Sequence, residues 1–353
     1  MKIEEINVPG WERVFHAVDS KSGLDSYIAI HNTVKGPALG GLRHWKYEDT
    51  DSALTDVLRL SEGMTYKNAL SGIPFGGGKA VINGEKTHLK LLAFADFLNE
   101  VWELGGEYYT AEDVGTNITD MYTLFEQSAH LFTPGVGHPS PATSLGVFKA
   151  MQAGLRYDAI VRKNLPFEEF IGMRGRRDIT VAIQGLGAVG YDLAAMCHLS
   201  GFNLIVADIN NTVCDKAKEE FGATVIPVDD ILFTDATITS PCALGAVLNS
   251  ESIAKMDPNT IICGSANNQL LDMVVHGNEL HERGMVYVPD FIANAGGVMN
   301  ISRETGMVPT DFHVACELDL IYHNATQCLI ESKKFKKPAA QVALDMAKRI
   351  IDN

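Results

Sequence analysis

The chain has no apolar run long enough to cross a bilayer, no C-x-x-C pair, no internal repeat and no low-complexity linker. A spanning helix needs roughly 20 consecutive apolar residues, so a helical membrane protein is excluded. Six cysteines (197, 214, 242, 263, 316 and 328) all fall in the second half without a paired framework. That pattern fits reduced thiols in a cytoplasm, and no ligand cluster suggests a zinc or other metal site. Basic residues are outnumbered: 29 lysines and arginines face 44 aspartates and glutamates, for a formal charge of −15. Binding nucleic acid requires a basic face, so that class of partner is not expected. The local groups RGRR at 174–177 and KKFKK at 333–337 read as solvated loop and helix-end residues. The opening MKIEEINVPGWERV is acidic where a secretory signal is basic and then apolar, so export is not expected.

What is present suffices for two domains. The length of 353 residues exceeds the ~250–300 at which single cores stop growing. Residues 25–31 and 79–82 read as strands, and 51–63 and 88–104 carry helical apolar spacing. Pro and Gly concentrate at 133–147, the expected crossing between domains, where Thr143 or Ser144 is placed to cap the next helix. From 178 onward strands alternate with helices, which implies a parallel sheet covered on both faces. The tail from about 312 to 353 reads as mostly helical.

Within that alternation, VAIQGLGAVGYDLA places Gly185, Gly187 and Gly190 in a G-x-G-x-x-G pattern, with Ala188 and Val189 opening the helix. The next strand ends in Asp208, twenty-three residues after Gly185. Small residues permit a tight turn and close approach of a pyrophosphate to the helix N-terminus, while a carboxylate at the next strand end accepts from ribose hydroxyls. A carboxylate there repels a 2′-phosphate, which favours NAD over NADP.

A second glycine cluster lies in GMTYKNALSGIPFGGGKAVI, residues 63–82, where Lys67 and Lys79 flank Gly76, Gly77 and Gly78. A nucleotide-triphosphate loop would need Gly where Ile73 stands and Ser or Thr where Ala80 stands, so that reading fails. The glycines are expected to let something flat, such as a nicotinamide ring, approach the backbone, leaving the Lys79 ammonium short of water. Desolvation lowers a lysine pKa and makes it a base near neutral pH. Lys67 would then be the ordinary cation that holds a substrate carboxylate. Two surface lysines beside a flexible turn is the competing reading of the same stretch.

Eight stretches in order, GPALGGLRHWKY (36–47), GMTYKNA (63–69), PFGGGKAVI (74–82), TAEDVGT (110–116), GHPSPATSLGV (137–147), PCALGA (241–246), GSANNQL (264–270) and VPDFIANAGGVMN (288–300), resemble the successive motifs of the glutamate/leucine/phenylalanine/valine dehydrogenase superfamily, nearest its leucine branch. The resemblance implies NAD-dependent, reversible oxidative deamination of an L-amino acid to a 2-oxo acid and ammonia. By that match Lys67 binds the α-carboxylate, Lys79 activates water and Asp113 exchanges protons with the substrate nitrogen. It places Leu39, Gly40, Gly41, Met64, Ala111 and Ile292 around the substrate, Thr143, Cys242 and Ala243 at the cofactor, and Asn267 near both. The glutamate-specific branch has a lysine where this chain has Leu39; burying a glutamate side chain without a cation costs several kcal/mol, so an apolar substrate follows. Leucine, valine and isoleucine are the first expectation, and phenylalanine or tryptophan the alternative.

Departures from the family pattern are His44, His138, the charged lead-in at 164–177, and Gly190 where the leucine branch commonly has Ala. The implied fold is α/β: an N-terminal substrate and oligomerisation domain over 1–139, a Rossmann domain over 140–324, a last helix at about 325–353 returning to the first, and an active site in the cleft between them. The resemblance also implies a homo-oligomer, dimer or octamer. A non-catalytic NAD-binding relative is disfavoured, because Lys67, Lys79, Asp113 and the glycine fingerprint are all retained.

Overall fold

The computed structural model describes residues 1–131, 138–165, 179–305 and 318–352. Most of the expected crossing before the helix, residues 132–137, and most of the charged lead-in, residues 166–177, lie outside the described residues. The chain divides into two compact units, Met1–Gly137 with Ile301–Thr310 and Ala347–Asn353, and His138–Asn300 with Asp311–Met346. Only the last seven residues of the expected returning tail group with the first unit, where Lys348 Nζ lies 5.9 Å from the Tyr66 ring centroid. The helix Asp319–Phe335 groups with the second unit, because it packs there: Lys149 pairs with Asp319, and Arg156 donates to the Tyr322 hydroxyl at 3.0 Å.

The first unit is a mixed sheet of seven strands: β1 Lys2–Glu5, β2 Arg13–Asp19, β3 Leu24–Asn32, β4 Ala38–Leu39, β5 Leu42–Trp45, β6 Gly76–Asn83 and β7 Tyr108–Tyr109. They run in the order β1-β2-β3-β6-β4-β7, with β5 also paired to β6. Alternation along the strands supplies both faces. Phe15, Ile28, Ile30 and Ile82 join a core with Phe94, Phe97 and Leu98 of helix α2 (His88–Glu103). Their neighbours Val14, Tyr27, Ala29 and Val81 join Ala53 and Val57 of helix α1 (Thr50–Leu70) on the other face. Asp49 caps α1, its side chain accepting from the Ser52 N–H at 2.7 Å.

The glycine run lies inside β6, neither in a flexible turn nor open to a ligand. A Cβ added at Gly77 would stand 2.1 Å from the Thr65 backbone nitrogen in α1, one at Gly76 1.9 Å from the Asn32 carbonyl, and one at Gly78 2.7 Å from the Tyr108 ring. Protein atoms therefore occupy the space that the sequence reading gave to a flat ring. Asn68 of α1 bolts this approach by donating to the carbonyls of Leu39 (3.0 Å) and Gly76 (2.6 Å). The same seam sets the phase of β6, so that Gly77, Lys79 and Val81 share the α1 face.

The second unit is a six-stranded parallel sheet of β8 Thr180–Gln184, β9 Asn203–Ala207, β10 Thr224–Val225, β11 Ile238–Pro241, β12 Ile261–Ile262 and β13 Val286–Tyr287. The order β10-β9-β8-β11-β12-β13 is the doubly wound 3-2-1-4-5-6 arrangement, whose direction reverses between β8 and β11. Near-continuous apolar strands such as 181–183 are what burial on two faces requires. The helix Ser140–Arg156 begins earlier than Thr143 or Ser144 could cap. Both hydroxyls instead donate back four residues, Thr143 to the Pro139 carbonyl at 3.0 Å and Ser144 to the Ser140 carbonyl at 2.8 Å, a common use of these residues inside helices. Pro139 holds the N-cap position without a side-chain cap, and His138, one residue earlier, accepts at Nδ1 from the Ser140 N–H at 3.2 Å.

Gly77→Ala should lower stability by roughly 3 kcal/mol, the upper range for overpacking a tight seam. Gly63→Ala, at a helical position with open space around it, should raise stability by about 1 kcal/mol. Urea unfolding midpoints of the two variants read both effects.

Candidate active site

Five polar side chains converge on the α1 face of the first sheet. Lys79 projects from β6 and is 4% exposed; its Nζ lies 3.1 Å from Asp113 Oδ2. Arg43, from β5, places Nε 3.2 Å from the same Asp113 oxygen and Nη1 2.9 Å from Asp56 Oδ2. The hydroxyl of Tyr47 donates to that Asp56 oxygen at 2.6 Å. Strand register makes this possible: Arg43 pairs with Val81 across β5 and β6, which phases Arg43 with Lys79, and Asp56 faces them from α1.

Asp113 is held by its own turn. Its N–H donates to Thr116 Oγ1 at 2.9 Å, and that hydroxyl reaches the Leu42 carbonyl at 3.0 Å. Gly41 leaves room for the cluster, since a Cβ there would stand 2.7 Å from Asp113 Cβ and 3.2 Å from Lys79 Nζ. Tyr108 braces the adjoining backbone, its hydroxyl within 3.2 Å of the Gly40 carbonyl and 3.3 Å of the Gly41 carbonyl.

The electrostatics of this arrangement separate the two partners. Burial pulls the Lys79 pKa below the ordinary lysine value; Asp113 opposes that shift and Arg43 reinforces it. Burial alone would raise the Asp113 carboxyl, but Lys79 and Arg43 together outweigh it and hold Asp113 below the ordinary carboxylate value. The result is an amine whose pKa lies below the ordinary lysine value beside a carboxylate whose pKa lies below the ordinary carboxylate value. Buried ion pairs contribute little net stability, so such a cluster is better read as a site than as a strut.

The other expected substrate residues of this unit lie on the surrounding elements. Leu39 and Ala111 are buried, the latter accepting from the Leu42 N–H at 2.7 Å. Met64 and Lys67 are partly exposed, three residues apart on α1, and a Cβ on Gly40 would lie 3.4 Å from Met64 Cγ. Arg43, Asp56, Tyr47 and Tyr108 were not singled out by the sequence. The available signal was the phase of β5 against β6, which becomes informative only when the pairing is known.

The second unit carries its own constellation at the β8/β11 reversal. Gly185 sits at φ +95°, and a Cβ on Gly190 would stand 2.0 Å from the Gly185 carbonyl, so the alanine common in the leucine branch does not fit this turn. Gly187 faces open space and begins the helix Ala188–Leu199 without a side-chain cap. Gly187 and Ala188 are exposed, Val189 partly so. Asp208 stands after β9, one oxygen accepting from the Leu186 N–H at 2.6 Å and the other from the Asn210 N–H at 2.8 Å. It thus braces the glycine turn, while each oxygen keeps a further lone pair for a hydroxyl. The open turn, uncapped helix N-terminus and adjacent carboxylate fit a dinucleotide.

Cys242 and Ala243 follow β11 at the same end, the Cys242 N–H bonded to the Gln184 carbonyl at 2.8 Å. Asn267 is exposed, and its Oδ1 accepts from Asn294 Nδ2 at 2.8 Å. Thr143 packs against Gly297, where a Cβ would stand 2.6 Å from its hydroxyl. Ile292 is 1% exposed in the short helix Asp290–Ala293. Among the described residues no group of His, Cys, Asp or Glu is arranged to hold a metal ion, and no helix is long and apolar enough to cross a membrane.

Known proteins share these features. Residues 12–130 match the family described as "Glu/Leu/Phe/Val dehydrogenase, dimerisation domain", and 206–332 match "Glutamate/Leucine/Phenylalanine/Valine dehydrogenase". Leucine dehydrogenase of Bacillus subtilis (strain 168) is 41% identical over 303 residues, covering 83% of this chain and 79% of its own. L-Tryptophan dehydrogenase of Nostoc punctiforme (strain ATCC 29133 / PCC 73102) is 37% identical over 355 residues, covering 99% and 95%. A crystal structure of L-tryptophan dehydrogenase from Nostoc punctiforme matches with a TM-score of 0.80 at 33% identity, over 98% of this chain and 96% of that one. The chain belongs to the Glu/Leu/Phe/Val dehydrogenase family. It is accordingly an amino acid dehydrogenase, an oxidoreductase acting on a CH–NH2 group.

His44, one of the departures, points away from the charged cluster. It pairs with Ile82 in register and lies on the α2 face, 5% exposed, and among the described residues neither ring nitrogen has a hydrogen-bond partner of good geometry. Burial lowers its pKa, Lys90 and Lys86 add to the shift, and the backbone at Glu85 and Gly84 opposes it. The folded state therefore favours the neutral ring, while the unfolded chain takes up a proton below about pH 6.5. Stability contributed by the neutral ring is present above that pH and is lost as pH falls toward the lower folded value. His44→Met should flatten the fall in Tm between pH 7 and pH 5; scanning calorimetry at the two pH values measures the difference.

Proposed function

We propose that the enzyme catalyses NAD-dependent, reversible oxidative deamination of an apolar L-amino acid, with leucine, valine and isoleucine as the substrate class, to the 2-oxo acid and ammonia. The observation that carries this reading is the buried Lys79 amine 3.1 Å from Asp113. When bound, NAD supplies the hydride acceptor for the substrate Cα. It would be held by the turn of Gly185, Gly187 and Gly190 with Ala188 and Val189, by Asp208, and by Thr143, Cys242, Ala243 and Asn267. The Asp208 carboxylate favours NAD over its 2′-phosphorylated form.

The remaining chemistry belongs to the first unit's residues. Lys67 holds the α-carboxylate as an ordinary ammonium. Lys79, neutral, takes a proton from water as the water oxygen bonds to the iminium carbon. Asp113, ionised, stabilises the iminium charge; it then takes the proton of the carbinolamine hydroxyl and passes it to the nitrogen, so that the carbonyl forms as the C–N bond breaks and ammonia leaves with the bonding pair. Leu39, Gly40, Gly41, Met64 and Ala111 shape the side-chain site. Leu39 in place of a cation disfavours an acidic substrate. The protein is read as a cytoplasmic homo-oligomer, in keeping with the family description of residues 12–130 as a dimerisation domain.

Aromatic substrates are the second reading, favoured by the L-tryptophan dehydrogenase likeness over nearly the whole chain. One methylene in an apolar pocket is worth only ~1–3 kcal/mol, so the side-chain class turns on pocket volume. A panel of amino acids assayed for NADH formation should give kcat/KM highest for leucine, valine or isoleucine. Phenylalanine or tryptophan well above leucine would establish the second reading instead. For the mechanism, Lys79→Ala should lose roughly 10²–10⁴-fold in kcat while binding NADH normally by fluorescence. Near-normal turnover in that variant would remove Lys79 from the role of base.

A further inference from the structure

Arg43 is the unexplained member of the charged cluster. A guanidinium is never neutral in water or protein, and here it sits partly buried between two carboxylates, Asp113 at 3.2 Å and Asp56 at 2.9 Å. Its anchorage is firm on the far side, because the Asp56 oxygen it uses also accepts from the Tyr47 hydroxyl at 2.6 Å. Neither Asp56 nor Tyr47 touches Lys79 or Asp113 by any contact described above, so the chain Tyr47–Asp56–Arg43 reaches the reacting pair only through the guanidinium. An ion-pair chain of this length is not needed for stability at a partly buried position.

We propose that Arg43, anchored by Asp56 and Tyr47, is a positioning residue for the deamination: it orients the Asp113 carboxylate toward Lys79 and supplies a standing positive charge that lets Lys79 shed its proton to act on water. This rests on the reading of Lys79 as the base. Both Lys79 and Arg43 use the same oxygen of Asp113, which leaves the other oxygen for the substrate nitrogen. The charged groups that act on the pair are Arg43 from β5 and Asp56 from α1, with the Tyr47 hydroxyl bonded to Asp56 behind them and the Tyr108 hydroxyl on the adjoining backbone. Arg43 repels a proton on Lys79, whereas Asp56 cancels part of that repulsion.

The signs can be worked out for two substitutions. Arg43→Gln removes the competing cation, so the Lys79 ammonium faces its carboxylates unopposed and needs a higher pH to deprotonate. Asp56→Asn removes a carboxylate behind Arg43, so the repulsion felt by the Lys79 ammonium grows and it deprotonates at lower pH. The rising limb of kcat for amino acid oxidation should therefore move up in Arg43→Gln and down in Asp56→Asn, each by on the order of one pH unit. Arg43→Lys keeps the charge and loses the planar fork, so it should leave the limb near wild type while kcat falls about tenfold or more.

A purely structural Arg43 would lower kcat or Tm in these variants without displacing the limbs in opposite directions. The experiment is the pH profile of kcat for wild type and the three variants, with Tm recorded for each. Opposite displacements support the proposal. Limbs that stay fixed, or that move the same way in Arg43→Gln and Asp56→Asn, overturn it; should Arg43→Gln fail to fold, the direction in Asp56→Asn decides alone. Lys79→Ala measured alongside separates the two readings: loss of turnover there with unmoved limbs here removes only the role of Arg43, whereas retained turnover in Lys79→Ala removes the base itself.

Discussion

A single oxygen of Asp113 shared between two cations, one of which is inclined to lose its charge, is the interaction on which the rest of the first unit depends. The Lys79 pKa is lowered only while water is kept from the amine, and the packing of α1 on β6 does that. Gly77 is the means, omitting a Cβ that would strike Thr65 of α1, while Gly76 and Gly78 admit Asn32 of β3 and Tyr108 of β7. Asn68 then fixes the helix to β4 and β6 through two carbonyls. The chemistry assigned to Lys79 is thus a consequence of how closely a helix approaches a strand.

The second unit obeys a different economy. Its parallel strands are buried on both faces and need no charged cluster to place the cofactor-binding turn. Topology alone puts the end of β8 beside the end of β11, and the turn after β8 is shaped by Gly185 and Gly190. Asp208 carries two tasks in this arrangement. It braces the turn through the Leu186 N–H and, in the proposed reading, also meets the ribose, so its substitution would disturb loop geometry as well as cofactor preference.

Much of this was legible in the sequence, and the misses have physical causes. Strand and helix alternation after residue 178 announced the parallel sheet because buried parallel strands are locally recognisable apolar runs. Lys79 and Asp113, singled out through motif order and residue chemistry, lie 3.1 Å apart in the folded chain. Arg43 and Asp56 were not singled out, since their value lies in a β5 to β6 register and a helix phase that no local window contains. The glycine run was assigned to the wrong neighbour: glycine spacing reports that something comes close, and only the folded chain shows that it is Asn32, Thr65 and Tyr108. Thr143 and Ser144 looked like caps, yet a helix starting at Ser140 turns them into internal hydroxyls, with His138 at the boundary instead.

Family membership, a buried amine and an adjacent carboxylate converge on amino acid oxidation, while the choice among apolar side chains depends on pocket volume. The most direct measurement of the central claim is an NMR titration of the lysine ε-amines in the full chain, with the Lys79 signal assigned by its loss in Lys79→Ala. The account predicts that Lys79 titrates clearly below the ordinary lysine value of about 10.4. A Lys79 signal that titrates at or above that value would contradict it.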